Sequence, residues 1–270
     1  MTMKFNLEKN NCHIMGILNV TPDSFFDGGK YSTLDKIMIR VDEMINEGVD
    51  IIDIGGESSR PGSDRISIQE ELDRISPVVS RIRESYDIPI SIDSMKSDVV
   101  KELLKYKINI INDISALSDP KFIDILKITD AYICLMHMNK DPSVMQDNPT
   151  YGNVTKDIFS YLEAKSNYCI ENGISPKKII VDPGFGFGKN LDHNYELLKN
   201  LDKFTKISCN ILVGISRKSM IGDLLNQDLS KRLYGSLSAA VISAIKRAKI
   251  IRTHDVRETK IAINVIQSLI

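Results

Sequence analysis

Residues 88–112, IPISIDSMKSDVVKELLKYKINIIN, contain two short apolar stretches on either side of one longer amphipathic segment. The stretches Ile88–Asp93 and Ile108–Asn112 are nearly continuous in apolar residues, which is typical of strands buried on both faces of a parallel sheet. The segment between them, Lys96–Tyr106, has the residue spacing of a helix with one apolar face. This stretch therefore predicts a strand, a helix and a second strand parallel to the first.

The same alternation runs along the whole chain. Six further apolar runs predict strands at His13–Val20, Asp50–Ile54, Ala131–Met136, Lys178–Asp182, Asn210–Ile215 and Lys249–Thr253. Amphipathic patterns predict helices at Leu34–Gly48, Ile68–Tyr86, Val154–Gly173 and Leu229–Ala248. Eight strand–helix alternations in 270 residues predict an α/β fold, a single (β/α)8 TIM barrel. A doubly wound open sheet is the alternative, because the pattern alone does not show closure.

Few breaks interrupt this pattern. Gly48 and Gly173 stand where helices are expected to end, and Asp223 or Asp228 is expected to cap a short helical piece near residues 220–232. No Pro- or Ser-rich linker and no charged block divides the chain. We therefore expect residues 1–270 to form one domain.

Charge and cysteine content restrict the classes of function. The chain has 35 basic and 36 acidic residues, so its net charge of -1 gives no overall field for nucleic acid or a membrane surface. The four cysteines are far apart and contain no C-x-x-C pair, which favours reduced thiols. No apolar run approaches membrane-spanning length. We expect a cytoplasmic protein that acts on small molecules rather than on nucleic acid or membranes.

Polar residues gather where the predicted strands end: Asn19, Asp53, Asp93, Asn112, His137, Asp182, Ser216 and His254. The starts of the strands carry no comparable set. A single Asp or Asn at such a place is more often a helix cap than a ligand. In a barrel, however, all eight ends share one rim, which is the face where ligands bind. The set predicts a site for a small ligand with several hydrogen-bonding groups.

The stretch DPGFGFGKN, residues 182–190, follows one of the buried strands. It is not a phosphate-binding P-loop, because Pro183 occupies the place of the first glycine and Asn190 follows the lysine. Glycines at alternate positions let the backbone pass close to a ligand, against which Phe185 or Phe187 can pack. Asp182 can accept two parallel N–H bonds from a heterocycle. A glycine-rich turn with core phenylalanines remains the alternative, but it leaves Asp182 without a role.

Two later motifs supply cations to the same rim. In ISRKS, Lys218 can reach a ligand carbonyl or ring nitrogen, and Ser219 begins a helix that can receive an anion. Arg217 in this motif is interpreted as structural, held by nearby acids. In IRTHD, Arg252 and His254 lie two residues apart on a strand and so share a face, which suits an oxyanion.

Taken together, these motifs resemble the dihydropteroate synthases, the folate-pathway enzymes of the pterin-binding TIM-barrel family. The resemblance covers almost the whole chain and rests on eight stretches in family order: MGILNVTPDSFFDGG, DIGGESSRPG, SIDS, INDIS, MHM, DPGFGFGK, GISRKS and THDVRET. Departures from the family pattern are Ser59 for threonine, Phe26 for serine, and an atypical HMNKDP loop. The resemblance implies condensation of 6-hydroxymethyl-7,8-dihydropterin diphosphate with p-aminobenzoate, and a homodimer.

The resemblance also implies a role for each matching residue. Pterin binding is assigned to Asp93, Asn112, Asp182 and Lys218, with Met136 and Phe187 nearby. Diphosphate binding is assigned to Asn19, Arg252 and His254, with Mg²⁺ shared between Asn19 and the phosphates. Two rim loops contribute Phe25, Ser59 and Arg60, and p-aminobenzoate is surrounded by Pro61, Phe187 and Ser219.

The residues themselves offer no paired nucleophile and base, so a covalent intermediate is not expected. We expect the C–O bond to break first, in a dissociative substitution for which Asn19, Arg60, Lys218, Arg252 and His254 are the predicted catalytic residues. Two alternatives are a methyltetrahydrofolate–corrinoid methyltransferase on the same barrel and a non-catalytic pterin-binding paralogue. The first has no need of the diphosphate residues, and the second would have lost some of them.

Overall fold

The structure is a computed structural model that describes residues 5–7, 11–21, 33–58, 64–139, 149–207 and 210–269. Within these residues eight strands form a closed barrel in which each strand pairs in parallel with the next and β1 pairs with β8. The strands are β1 His13–Asn19, β2 Ile51–Gly55, β3 Ile90–Asp93, β4 Ile110–Asp113, β5 Tyr132–Met136, β6 Ile179–Asp182, β7 Asn210–Val213 and β8 Ile250–Thr253. The predicted (β/α)8 barrel is confirmed, and the open sheet is excluded because β8 returns to β1.

Helices lie between the strands and cover the barrel. The α-helices of the described residues are α1 Thr33–Asn46, α2 Ile68–Ser85, α3 Ser97–Leu103, α4 Phe122–Lys127, α5 Val154–Glu171, α6 Leu191–Lys199, α7 Ser219–Leu225, α8 Leu233–Ile245 and α9 Val256–Gln267. Short 3-10 helices occupy Leu104–Tyr106, Pro176–Lys178, Leu201–Ile207 and Leu229–Lys231. Gly48 and Gly173 follow α1 and α5 with positive φ angles of 86° and 90°, as expected of residues that end helices.

Two apolar clusters stabilise this arrangement. The larger one lies between the outer faces of the strands and the helices. The smaller one fills the barrel interior with Met15, Ile51, Ile110, Tyr132, Cys134, Ile180, Leu212 and Ile250. Leu7, from the segment before β1, is fully buried in this cluster, and its N–H donates to the Tyr132 hydroxyl at 3.3 Å. This part of the barrel interior is therefore filled by side chains and is not an open channel.

Some local predictions were wrong. The single helix predicted over Leu229–Ala248 is a 3-10 turn followed by α8, and Asp223 lies inside α7 instead of capping a helix. Asp228 does precede the 3-10 turn, although its side chain makes no capping hydrogen bond. In the described part of the chain, no helix combines the length and the apolar character needed to cross a membrane.

Candidate active site

The carboxyl ends of the strands form one end of the barrel, which we call the mouth. Register brings two of the predicted residues together there, because Asp93 of β3 lies beside Asn112 of β4. Gly55 of β2 lies on the other side of Asp93. On the opposite side, Met136 of β5 lies beside Asp182 of β6. The predicted gathering of polar strand ends is thus a property of the closed sheet.

Arg252 of β8 crosses the mouth to two carboxylates. Its Nε donates to Asp53 Oδ2 at 2.6 Å, and its second guanidinium nitrogen donates to Asp93 Oδ2 at 2.7 Å. Asn112 Nδ2 donates to the same Asp53 oxygen at 3.2 Å. Asp53 is fully buried, so its charge requires such partners. One buried acid therefore orients both Arg252 and Asn112.

The electrostatics of this group follow from one cation between two acids. Burial raises the pKa of Asp93 to about 7, with Arg252 opposing the rise and Asp53 adding to it. Burial also lowers the pKa of Arg252, but Asp53 and Asp93 together raise it above its ordinary value. Arg252 is therefore a permanent cation, whereas Asp93 is the acid of this group whose charge responds to a ligand.

Asp182 and Lys218 face each other across the loop that joins β6 to α6. Asp182 Oδ1 accepts the Gly184 N–H at 2.7 Å, and the Lys218 ammonium donates to the Phe185 carbonyl. Burial lowers the pKa of Lys218 to about 8, while Asp182 and Asp93 act against that lowering. Burial raises the pKa of Asp182, with Lys218 as the main opposing charge. Lys218 thus interacts electrostatically with acids on both sides of the mouth.

The two candidate phenylalanines of this loop differ in their exposure to solvent. Phe185 is fully buried in the core, whereas Phe187 is half-buried, with Lys218 Nζ 4.5 Å from its ring centroid. Phe187 is therefore the ring available to a ligand. Met136 is buried at the end of β5, and Ser219 is exposed at the start of α7.

Two of the three predicted anion-binding residues border a second cavity. Asn19 and His254 line this space of about 480 Å³, and Arg252 is not among its lining residues. Its charged lining consists of Arg40, Glu47, Arg217, Asp255 and Glu258. His254 Nδ1 lies 3.1 Å from Ser216 Oγ, and burial, followed by the charge of Arg252, lowers the His254 pKa to about 4. His254 is consequently neutral at neutral pH. Arg217 donates from Nε to Asp255 at 3.0 Å, in agreement with its structural interpretation.

Four of the predicted site residues lie outside the described residues: Phe25, Ser59, Arg60 and Pro61. Their proposed contacts with substrate stay predictions. The ten other predicted residues are all described and lie at or next to the carboxyl ends of strands.

Asp53 was predicted only as one of the polar strand ends, and Lys189 was not predicted as a site residue. Asp53 stands in the middle of the apolar stretch that predicts β2, and only pairing with Arg252 from the other end of the chain reveals its role. Lys189 closes the glycine loop and is 4% exposed, with its ammonium 3.1 Å from His137 Nδ1. The signal for Lys189 was a lysine at the end of a glycine-rich run, which normally suggests a phosphate ligand instead of a buried contact.

Acidification is expected to destabilise the fold in part through His137. Burial, followed by the charge of Lys189, lowers the pKa of His137 from 6.5 to about 3. Only the unfolded chain binds a proton at His137 between these values. The stabilising contribution is therefore complete above the unfolded pKa and is lost as the pH falls towards the folded pKa.

Between about pH 7 and about pH 5 this loss amounts to about 2 kcal/mol in the free energy of unfolding. Urea denaturation of the wild type and of His137→Gln at the two pH values measures it. The variant should lose about 2 kcal/mol less than the wild type on acidification. Equal losses in both proteins would show that His137 is not held neutral.

The sequence of this chain was compared with protein families and with known proteins. The family described as pterin binding enzyme matches residues 15–254. The dihydropteroate synthase of Escherichia coli K12 is 47% identical over 263 residues, which cover 97% of this chain and 93% of that protein.

Solved structures give the same result. A crystal structure of Yersinia pestis dihydropteroate synthase with a sulfonamide drug matches with a TM-score of 0.92 and 42% identity, over 99% of this chain and 96% of that one. The dihydropteroate synthase of Xanthomonas albilineans in complex with 7,8-dihydropteroate matches with a TM-score of 0.88 and 32% identity, over 98% of this chain and 95% of that one.

Proposed function

This chain belongs to the dihydropteroate synthases of the pterin binding enzyme family, and we propose that it condenses 6-hydroxymethyl-7,8-dihydropterin diphosphate with p-aminobenzoate. The products are 7,8-dihydropteroate and diphosphate. The observation that carries this proposal is the single mouth in which Asp93, Asn112 and Asp182 face the cations Lys218 and Arg252. That combination suits a hydrogen-bonding bicyclic head and an anionic leaving group.

We assign the pterin head to the acids and amides of the mouth. Asp182 accepts from the pyrimidine N–H groups of the pterin, and Lys218 donates to its carbonyl or ring nitrogen. Asp93 and Asn112 contact the second ring, while Phe187 and Met136 pack against the flat faces. The buried polar groups would then exchange water for ligand bonds without being left unpaired.

The diphosphate tail is assigned to Asn19, Arg252 and His254. The bond between the pterin methylene carbon and the diphosphate oxygen breaks, and its electron pair leaves with the oxygen. Arg252 and a hydrogen bond from neutral His254 stabilise the departing charge. The carboxylates of Asp93 and Asp182 stabilise the electron-poor pterin. The amine nitrogen of p-aminobenzoate then bonds to the methylene carbon and releases one proton.

The second substrate is assigned to the outer part of the same mouth. Ser219 is exposed at the start of α7 and can donate to the carboxylate of p-aminobenzoate. Phe187 borders the aromatic ring from the loop after β6. Pro61, Ser59, Arg60 and Phe25 complete this proposed environment from the two rim loops.

Magnesium is proposed to arrive with the diphosphate substrate. Among the described residues no three His, Cys, Asp or Glu side chains form a metal-binding group. Mg²⁺ is commonly held by one or two protein oxygens together with substrate phosphates, and the Asn19 amide oxygen at the end of β1 fits that donor set. When bound, the ion would neutralise part of the diphosphate charge.

The reaction is tested by measuring diphosphate release from the dihydropterin diphosphate with and without p-aminobenzoate. We expect release to depend on p-aminobenzoate and to match the formation of dihydropteroate, followed by mass spectrometry. A corrinoid methyltransferase or a non-catalytic paralogue would release none. Absence of turnover by the folded wild-type chain with both substrates and Mg²⁺ would refute the proposed function.

Replacing Asp182 by asparagine is expected to weaken pterin binding by about 1.5–3 kcal/mol, since a charge-assisted hydrogen bond is worth that much. Asparagine preserves the volume, and its own N–H₂ opposes the donors of the pterin edge. Isothermal titration with a non-reactive pterin measures the change. Unchanged affinity would remove Asp182 from the binding site.

A homodimer is also proposed. Helices α8 and α9 pack against each other and carry exposed apolar side chains, including Tyr234 at 79%, Ile245 at 54%, Ile261 at 59% and Val265 at 61%. Exposed apolar residues this numerous on neighbouring helices favour a protein contact. Sedimentation equilibrium of the wild type tests the state, and a concentration-independent monomer would exclude it.

Cytoplasmic localisation is likewise a proposal. Cys12, Cys134 and Cys169 are buried, and burial raises the pKa of the Cys12 thiol to about 12, which suits thiols kept reduced. Fractionation of cells that express the chain tests this, with recovery in the membrane or secreted fraction as the opposing result.

A further inference from the structure

Lys189 places a cation beneath the loop that carries the proposed pterin contacts. Its ammonium nitrogen lies 2.8 Å from the carbonyl oxygen of Gly184 and 2.8 Å from that of Phe187. It also lies 3.1 Å from His137 Nδ1 and 3.3 Å from the His137 carbonyl oxygen. Lys189 is 4% exposed, so solvent contributes little to this shell.

The four atoms around the Lys189 ammonium are all capable of accepting a hydrogen bond. An ammonium offers three donors and no acceptor. Carbonyl oxygens can only accept, and the neutral His137 ring accepts at Nδ1 when its proton is on Nε2. Burial lowers the pKa of Lys189, and Asp182 opposes the lowering. A shell of acceptors with no competing donor suits the charged form of Lys189.

The loop that Lys189 contacts is also held at Gly186, whose N–H donates to Asn194 Oδ1 at 2.7 Å, and at Gly188, whose carbonyl accepts from the Tyr151 hydroxyl at 2.7 Å. Gly184, Gly186 and Gly188 all have positive φ angles, of 71°, 79° and 62°. Buried carbonyl groups in such a turn need hydrogen-bond donors. The Lys189 ammonium donates hydrogen bonds to the Gly184 and Phe187 carbonyls from beneath the loop. The Lys218 ammonium donates to the Phe185 carbonyl from the side of the mouth.

The same loop determines where the ligand-facing groups stand. The Gly184 N–H donates to Asp182, and the Phe187 N–H donates to the Gly184 carbonyl at 3.1 Å. A shift of the Gly184 and Phe187 carbonyls would therefore move the Asp182 carboxylate and the Phe187 ring. It would also displace the carbonyl that anchors Lys218.

We propose that Lys189 is a positioning residue for pterin recognition, whose buried ammonium fixes the Gly184–Phe187 turn and thereby the geometry of Asp182, Phe187 and Lys218. It touches no substrate itself. This inference rests on the proposed function, because it names what holds the pterin-binding part of that site in place. A lysine with a merely structural role would affect both substrates alike or only the stability of the fold.

The test compares Lys189→Met with Lys199→Met, a matched control at an exposed lysine near the end of α6. We expect Lys189→Met to raise the KM for the dihydropterin diphosphate by at least about ten-fold. The KM for p-aminobenzoate, which contacts only Phe187 of the three positioned residues, should rise by no more than about three-fold. Lys199→Met should change neither. An unchanged pterin KM in Lys189→Met, or equal rises for both substrates, would overturn the inference.

A second variant, Lys189→Gln, tests the same inference if Lys189→Met does not fold. Lys189→Gln keeps two N–H donors for the carbonyls but loses the charge and reach, and the same split in KM is expected from it. An unchanged pterin KM in a folded Lys189→Gln would overturn the inference. Because wild-type turnover is measured first, inactivity of the wild type would refute the proposed function, whereas an active wild type with unaffected variants would refute only the role of Lys189.

A measurement on the wild type is independent of turnover. Among the residues that the structure describes, the titratable groups that face the His137 ring are Lys189, Tyr151 and Tyr161. With only four histidines, NMR titration resolves each ring, and His137→Gln identifies the signal. The ring should stay neutral with its proton on Nε2 throughout the folded pH range. A proton on Nδ1, or titration near the ordinary pKa, would overturn the contact on which the inference depends.

Discussion

Replacing Arg252 by methionine is expected to reduce turnover by at least about 100-fold and to lower the free energy of unfolding by about 3–5 kcal/mol. Arg252 is the partner of both Asp53 and Asp93, at 2.6 and 2.7 Å. Its removal leaves the fully buried Asp53 with only the Asn112 amide as a hydrogen-bond partner among the contacts described above. It also removes the cation proposed to receive the leaving diphosphate.

Urea denaturation and steady-state rates of diphosphate release measure the two effects. Arg81→Met is the matched control for stability, because Arg81 pairs with Glu84 at 3.8 Å on the exposed surface. That control should change stability by no more than about 1 kcal/mol. Adding Asp53→Asn to Arg252→Met should restore part of the lost stability, because one unpaired buried charge is then removed. Strictly additive losses would contradict the ion-pair account.

Replacing Gly184 by alanine is expected to lower the free energy of unfolding by about 2–5 kcal/mol and to weaken pterin binding strongly. Two separate penalties act at this position. The φ angle of 71° is unfavourable for any residue with a side chain. An added Cβ would also overlap the His137 carbonyl oxygen and lie 3.0 Å from its carbonyl carbon. The backbone that carries Asp182 and Phe187 must move to accommodate it.

Gly173→Ala separates the two penalties. Gly173 has a similar φ of 90°, but no atom lies within 4 Å of an added Cβ. We expect this control to lose only about 1–2 kcal/mol and to leave pterin affinity unchanged. Thermal denaturation and titration with a non-reactive pterin measure both variants. Similar behaviour of Gly184→Ala and Gly173→Ala would show that close packing against His137 does not shape the site.

The sequence was most informative about the strands. Continuous apolar runs such as Ile88–Asp93 reflect burial on both faces, and all eight predicted strands occur with ends shifted by a few residues. Short helices were harder to detect. Helix α4 has only six residues, and α6 begins with a capping box in which His193 replaces the usual Glu or Gln. Their apolar periodicity is too brief to stand out.

The candidate site shows a similar division. Residues at strand ends, such as Asp93 and Asp182, are recognisable because polar groups there interrupt an apolar run. Asp53 is recognisable as a polar strand end too, but its role in the site depends on its contact with Arg252, 199 residues away in the sequence. The neutral state of His254 and the buried position of Lys189 likewise depend on neighbours that fold closure supplies. The sequence pattern therefore did not reveal which distant residues contact each other.

The central claim is that one mouth of the barrel binds the pterin head between Asp93, Asn112, Asp182 and Lys218. A crystal structure of the chain with a bound non-reactive pterin tests it most directly. We predict the pyrimidine edge on the Asp182 carboxylate, with Lys218 on the same ring system and Phe187 against its face. A pterin bound elsewhere, for example in the cavity lined by Phe5, Ile108 and Tyr132, with the mouth empty, would contradict the account.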